Sequence, residues 1–143
     1  MNTVRDILQK KGNAVYGVSP DSSVYDALEA LEEKNLGALV VVENGNLIGV
    51  FTERDYARKI ILKGRSSKET LVRHIMSSRP VFVTSDTTIE ECMQMMTDKH
   101  IRHLPVLNSE QRLIGLISIG DIVKYIISEK DFIIENLELY IRS

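Results

Sequence analysis

Two aspartates, Asp55 and Asp121, each follow a hydroxyl residue by three positions, Thr52 and Ser118, within the strings LIGVFTERD and LIGLISIGD. The copies lie 66 positions apart, whether measured between aspartates (55 to 121) or between glycines (49 to 115). Each string reads as an apolar strand that hands over to a helix. A helix N-terminus carries unpaired N–H groups and partial positive charge, so it attracts phosphate, and a strand-end hydroxyl adds a donor. The aspartate is an acceptor suited to the paired hydroxyls of a ribose. The same residues also form a capping pattern, a purely structural way to begin a helix. The two readings differ in where the carboxylate points: back at its own backbone in a cap, into a cleft in a ligand site.

The elements that must position these corners recur with them. TVRDIL (3–8) is echoed by LVRHIM (71–76), and the short strands Val15–Val18 and Val81–Val83 are each followed by helix-starting turns, SPDSS and TSDTT. The next helices carry apolar residues at i, i+3, i+4 and i+7: Val24, Ala27, Leu28 and Leu31, then Ile89, Cys92, Met93 and Met96. Dense apolar strands follow, Ala38–Val42 and Leu104–Leu107. Asn44-Gly45 predicts a two-residue hairpin because both residues tolerate positive φ, while Ser109-Glu110-Gln111 makes the second turn looser. The closing helices are expected over Asp55–Lys63 and Asp121–Ser128. The order strand, helix, strand, strand, helix is thus written twice, an α/β (α+β) chain. Its organisation is predicted as residues 1–68 (first repeat with an N-terminal helix and the linker GRSSK), 69–128 (second repeat) and 129–143 (helical tail). In the tail, Phe132, Ile133, Ile134, Leu137, Leu139 and Ile141 fall mostly on one apolar stripe.

Composition narrows the function classes. The chain has 143 residues, 43% apolar and 27% charged, with 18 Lys and Arg against 20 Asp and Glu. That size makes two half-size units share a core, and the slight acidic excess argues against nucleic-acid or anionic-lipid binding. The single cysteine, Cys92, excludes an internal disulfide and multi-cysteine metal motifs, and its place on the apolar stripe makes it a core thiol. No run approaches membrane-spanning length, and the N-terminus lacks a signal-peptide core, so a cytoplasmic location is expected. There is no P-loop, GxGxxG or GxSxG, and no nucleophile and base spacing that an active site needs; no catalytic residue is assigned. His100 and His103 lack further ligands for a metal set.

GVSPDSSVYDAL, LGALVVVENGNLIGVFTERD, VTSDTTIEECMQMM, IRHLPVL and LIGLISIGD, duplicated in order over nearly the whole chain, resemble a tandem pair of CBS domains, a Bateman module. The resemblance implies two repeats packed through their sheets about a pseudo-two-fold axis, with clefts between them for adenosine-containing ligands, and a regulatory role. It further implies sites that cross the repeats. One would join Ser118, Gly120, Asp121, Arg102 and His103 to Val15, Tyr16 and the backbone of Leu36, Gly37 and Ala38. The other would join Thr52, Arg54, Asp55 and Arg58 to Val81, Phe82 and Ile101. AMP leads the expected ligands, with ATP, ADP, NAD(H) and S-adenosylmethionine as alternatives. Arg102-His103 and Gly120 favour the Asp121 corner, because Glu53 at the earlier corner would repel phosphate if it faced inward. A homodimer is expected from the apolar tail and exposed helices, together with an unidentified regulated protein. The competing reading is a ligand-independent interaction module whose corners are only caps.

Overall fold

The computed structural model describes residues 2–142, with side chains beyond 130 described only at Ile134 and Leu137. The chain opens with helix α1 (Val4–Lys11) and strand β1 (Gly17–Val18), then helix α2 (Val24–Lys34). The hairpin β2 (Ala38–Glu43) and β3 (Asn46–Thr52) leads into α3 (Glu53–Lys59) and a 3₁₀ turn at Ile61–Lys63. After the linker, a 3₁₀ turn at Val72–His74 and strand β4 (Ser77–Ser78) precede α4 (Ile89–Lys99). The second hairpin, β5 (His103–Leu107) and β6 (Leu113–Ser118), ends in α5 (Ile119–Arg142).

Local chemistry accounts for most of these boundaries. The Ser23 and Thr88 hydroxyls accept from the backbone N–H of Asp26 and Glu91 and start α2 and α4. Both helices stop at a residue in the left-handed region, Asn35 (φ 55°) and His100 (φ 54°). The β2–β3 turn has the expected form, with Asn44 at φ 53° and Gly45 at φ 80° between paired Glu43 and Asn46. The predicted apolar stripes are the buried ones: Val24, Ala27 and Leu31 in one core, and Ile89, Cys92 and Met96 in the other.

The structure departs from the sequence pattern in three places. The first sheet has four strands, ordered β1-β2-β3-β4, and its fourth comes from beyond the linker. Val81–Val83 is not a full strand, because only Val83 bridges Val106, with Pro80 contributing no N–H upstream. The closing helix and tail of the second repeat are one continuous helix, α5; Phe132, Ile133, Leu139 and Ile141 lie outside the residues whose side chains are described. No helix among the described residues is long and apolar enough to cross a membrane.

The lead segments are exchanged. Helix α1, grouped by chain order with the first repeat, buries Val4, Ile7 and Leu8 in the second repeat's core beside Leu104, Ile117 and Ile122. Reciprocally, Val72 and Ile75 sit in the first repeat's core with Phe51 and Leu39. The backbone repeats the exchange: Val4 N–H donates to Thr87 O at 2.9 Å and Val72 N–H to Ser22 O at 2.9 Å. This explains both motif glycines. A Cβ on Gly115 would meet Leu8 Cδ2 at 2.8 Å, and one on Gly49 would meet Met76 Sδ at 2.7 Å and Ser77 O at 2.9 Å. Each glycine is the seat for the other repeat's lead segment. The two units are therefore interleaved about a pseudo-two-fold axis.

Candidate functional site

The exchange gives each corner a cationic residue from a lead segment. Aligning residues 3–8 with 71–76 sets Lys11 opposite Arg79, a separation of 68 positions (11 to 79). The two behave differently.

At the Asp121 corner, Lys11 closes in. Its Nζ lies 2.7 Å from Asp121 Oδ2 and also donates to Leu116 O. The same carboxylate oxygen accepts the Ser118 N–H at 2.8 Å, while the Ser118 hydroxyl accepts the Asp121 N–H at 3.1 Å. Burial works against the Asp121 carboxylate, but the Lys11 ammonium and the Ser118 donors outweigh it and hold the carboxyl below its ordinary range. The adjoining cavity, about 410 Å³, is lined by Ile7, Lys10, Lys11, Lys124, Tyr125 and Ser128 with Asp121. A lysine head thus occupies the acceptor that a ribose would need.

At the Asp55 corner a larger cleft, about 520 Å³, stands open between the repeats. Asp55 is buried, and its Oδ2 accepts the Thr52 N–H at 2.9 Å and the Thr52 hydroxyl at 3.1 Å. Lys59 Nζ lies 3.1 Å from Oδ1. The wall carries Arg54, Arg58, Lys59, Arg79 and Arg102 against two acids, Glu53 and Asp55, with Val50, Val81 and Ile101 as apolar surface. Arg54 is braced across the repeats, donating to His100 O at 2.8 Å. Arg79 is in the left-handed region (φ 52°) just before Pro80, an uncommon backbone for either reason. Five cations facing two carboxylates make this the more cationic of the two cavities, the other setting Lys10, Lys11 and Lys124 against Asp121.

The site residues expected from sequence are redistributed accordingly. Thr52, Arg54, Asp55, Arg58, Val81 and Ile101 share one cleft as grouped; Phe82 is 41% exposed and does not line it. Gly37, Arg102 and His103, assigned to the Asp121 site, line the Asp55 cleft instead. Ser118 stays beside Asp121 through the cap, and exposed Gly120 follows it in the first turn of α5. Val15, Tyr16, Leu36 and Ala38 line neither cavity. Ala38 is buried opposite Thr52 in the hairpin, Leu36 packs on the first core, and the Tyr16 ring sits 5.0 Å from Lys34 Nζ. Glu53 does line the open cleft, where the surrounding cations outnumber it.

His103 stands between the corners. Its Nε2 lies 3.5 Å from where a Cβ on Gly37 would be, and burial, then the nearby Lys11 charge, lowers its pKa. Lys11, Lys59 and Arg79 carried no motif signal; only the 3–8 and 71–76 echo, extended by three residues, could have pointed to Lys11 and Arg79. Among the described residues no group of three or more His, Cys, Asp or Glu side chains forms a metal set. Cys92 is fully buried, and burial pushes its thiol up to about 11.

This interleaved pair of repeats with inter-repeat corners is the architecture of a CBS pair, and the chain belongs to the CBS-domain family, whose model matches residues 3–62 and 72–128. The Arabidopsis thaliana protein CBSX3, a mitochondrial CBS-domain protein, is 42% identical over 149 residues, covering 98% of this chain and 72% of that protein. A solved structure of a protein with CBS domains from Burkholderia ambifaria superposes with a TM-score of 0.85 at 46% identity, covering 89% of this chain and 95% of that one. The structure of CBSX2 in complex with AMP has a TM-score of 0.72 at 29% identity, covering 91% and 99%.

Proposed function

We propose that this protein is a regulatory module, not an enzyme, that takes an adenine nucleotide in the Asp55 cleft and passes the change to a regulated protein. The observation that carries the reading is the open cleft of about 520 Å³ in which Asp55, five cationic side chains and an apolar surface converge from both repeats. Its size falls in the usual range for small-molecule sites. Arg54, Arg58, Arg79 and Arg102 would take phosphate, and Val81 and Ile101 would meet the base. Asp55 would accept from the ribose once Lys59, held to Asp55 Oδ1 at 3.1 Å and to Ile75 O at 2.8 Å, gives up both contacts for phosphate. AMP is the first candidate, supported by the AMP-bound CBSX2; ADP, ATP, NAD(H) and S-adenosylmethionine are the others. Because the cleft wall is built from both repeats, a ligand that fits one relative tilt better shifts the module toward it by its differential affinity.

A second reading, a ligand-independent interaction module, draws on a different observation: both aspartates point at their own backbones as caps. Calorimetric titration of all five candidates separates the two. Heat and thermal stabilisation with any of them support the sensor, and neither at millimolar concentration leaves the interaction module. Arg102→Gln, which leaves both caps intact, is expected to weaken nucleotide binding about tenfold. For location we retain the cytoplasm, tested by cell fractionation; mitochondrial recovery, as in CBSX3, would replace it.

A further inference from the structure

The eleven residues 58–68, RKIILKGRSSK, carry five cations and no acid, although the whole chain holds 18 Lys and Arg against 20 Asp and Glu. The corresponding stretch of the second repeat, 124–134 at the offset of 66, sets Lys124 and Lys130 against Glu129 and Asp131. The charge therefore belongs to this segment and not to the fold. Its centre is apolar: Ile61 and Leu62 are exposed by 57% and 76%, Leu62 more than any other large hydrophobic among the described residues. The turn that presents them is firmly built. Ile60 anchors it in the first core, the Lys63 and Arg65 N–H groups donate to Ile60 O at 3.2 and 3.0 Å, and Gly64 closes it at φ 67°. Arg58, Lys63, Arg65 and Lys68 are exposed, and among the described residues none of them joins an ion pair. Lys68 Nζ instead sits 4.8 Å from the ring centre of Tyr25, which is itself partly exposed.

We propose that this turn docks the protein on the surface of an anionic lipid bilayer, with Ile61 and Leu62 entering the headgroup boundary and Lys63, Arg65 and Lys68 pairing with lipid phosphates. The combination of groups selects the partner. Exposed aliphatic tips flanked by basic side chains, with an aromatic ring alongside, suit a surface that is charged outside and apolar just beneath. A nucleic acid or a free polyphosphate would take the charge but offers Leu62 nothing in which to bury itself. The acidic excess of the whole chain, which argues against lipid binding in general, is no obstacle here, because a bilayer senses only charges within about 8–10 Å of it. Each cation held that close adds to the attraction. The docking is independent of the nucleotide reading, since residues 61–68 line neither cavity.

Flotation of the full chain with lipid vesicles tests the docking. Recovery is expected on vesicles of equal parts phosphatidylcholine and phosphatidylserine, falling as salt rises, and not on phosphatidylcholine alone. Ile61→Ser with Leu62→Ser, and separately Lys63→Gln with Arg65→Gln, should each weaken vesicle binding about tenfold or more, with the melting temperature and nucleotide titration unchanged. The chain has no tryptophan, so Leu62→Trp reports insertion directly. Its emission should move to the blue on the anionic vesicles and stay in place with inorganic polyphosphate. Equal recovery on neutral vesicles, binding indifferent to either pair of substitutions, or an unshifted tryptophan would each overturn the proposal. No recovery on any vesicle would overturn it in favour of an acid-rimmed groove on a protein.

Discussion

Replacing Lys11, the last residue of α1, by methionine keeps most of the aliphatic stem and removes the ammonium. That ammonium is 2.7 Å from Asp121 Oδ2, with the lysine and aspartate side chains 34% and 22% exposed. A charge-assisted hydrogen bond is worth about 1.5–3 kcal/mol, and solvent screening at a lysine exposed to this degree brings the expected loss to about 1–2 kcal/mol. For a chain of this size that is a fall of roughly 2–8 °C in Tm. The pH dependence fixes the cause. Asp121 is depressed below its ordinary value of 3.8, so its contribution is present above that value and disappears as pH falls through the depressed one. Urea unfolding of wild type, Lys11→Met, Asp121→Asn and the double variant should therefore show a coupling near 1 kcal/mol at pH 7 that vanishes in strong acid. Coupling below about 0.3 kcal/mol at neutral pH, or coupling that persists once the carboxylate is protonated, would refute the clasp. If the clasp is also what closes the Asp121 corner, nucleotide stoichiometry should rise from about one per chain in the wild type toward two in Lys11→Met.

Three further outcomes follow from the packing. Gly49→Ala should cost about 1–3 kcal/mol and exceed Gly115→Ala, because its new methyl meets the Ser77 carbonyl at 2.9 Å while that of Gly115 meets only the tip of Leu8; thermal melts giving the reverse order would contradict the exchanged seats. His103 is held below its ordinary 6.5 by burial and then by Lys11, so stability is full above that value and declines as pH falls from it toward the depressed pKa. Stability measured from pH 7.5 to 5 should decline more in wild type than in His103→Gln, and equal slopes would remove His103 as the cause. Cys92, with its thiol near 11 and no exposed surface, should react with iodoacetamide at pH 8 only at the rate of global opening; rapid labelling of the native protein would show that its core opens locally.

Much of the fold was legible because it rests on local rules applied twice. The α2 and α4 stripes, the Asn44-Gly45 turn and the capped starts of α2 and α4 each need only a few neighbouring residues to be specified. The apolar pattern of Val81–Val83 predicts a strand, yet it says nothing about whether hydrogen-bonding partners lie alongside, and only Val83 has one. The tail's spacing predicts an apolar helix but not its continuity with the closing helix; with no proline or glycine between residues 121 and 142, nothing breaks α5.

The sequence by itself determined that the chain is a duplicated CBS pair with two hydroxyl–aspartate corners, because repeat period, amphipathic spacing and cap chemistry are all carried by residues close in the chain. The sequence also predicts that the corners differ; only the tertiary structure decided which cation meets which aspartate, seating Lys11 on Asp121 and drawing Arg102 and His103 to the wall of the Asp55 cleft. The physical reason is the exchange of lead segments. Lys11 is 110 positions from Asp121 yet is delivered to it by α1, while its counterpart Arg79, held with left-handed backbone before Pro80, leaves the Asp55 cleft open. A contact between residues that far apart depends on which core accepts Leu8 and which accepts Met76, and the seats for those side chains, Gly115 and Gly49, look identical in sequence.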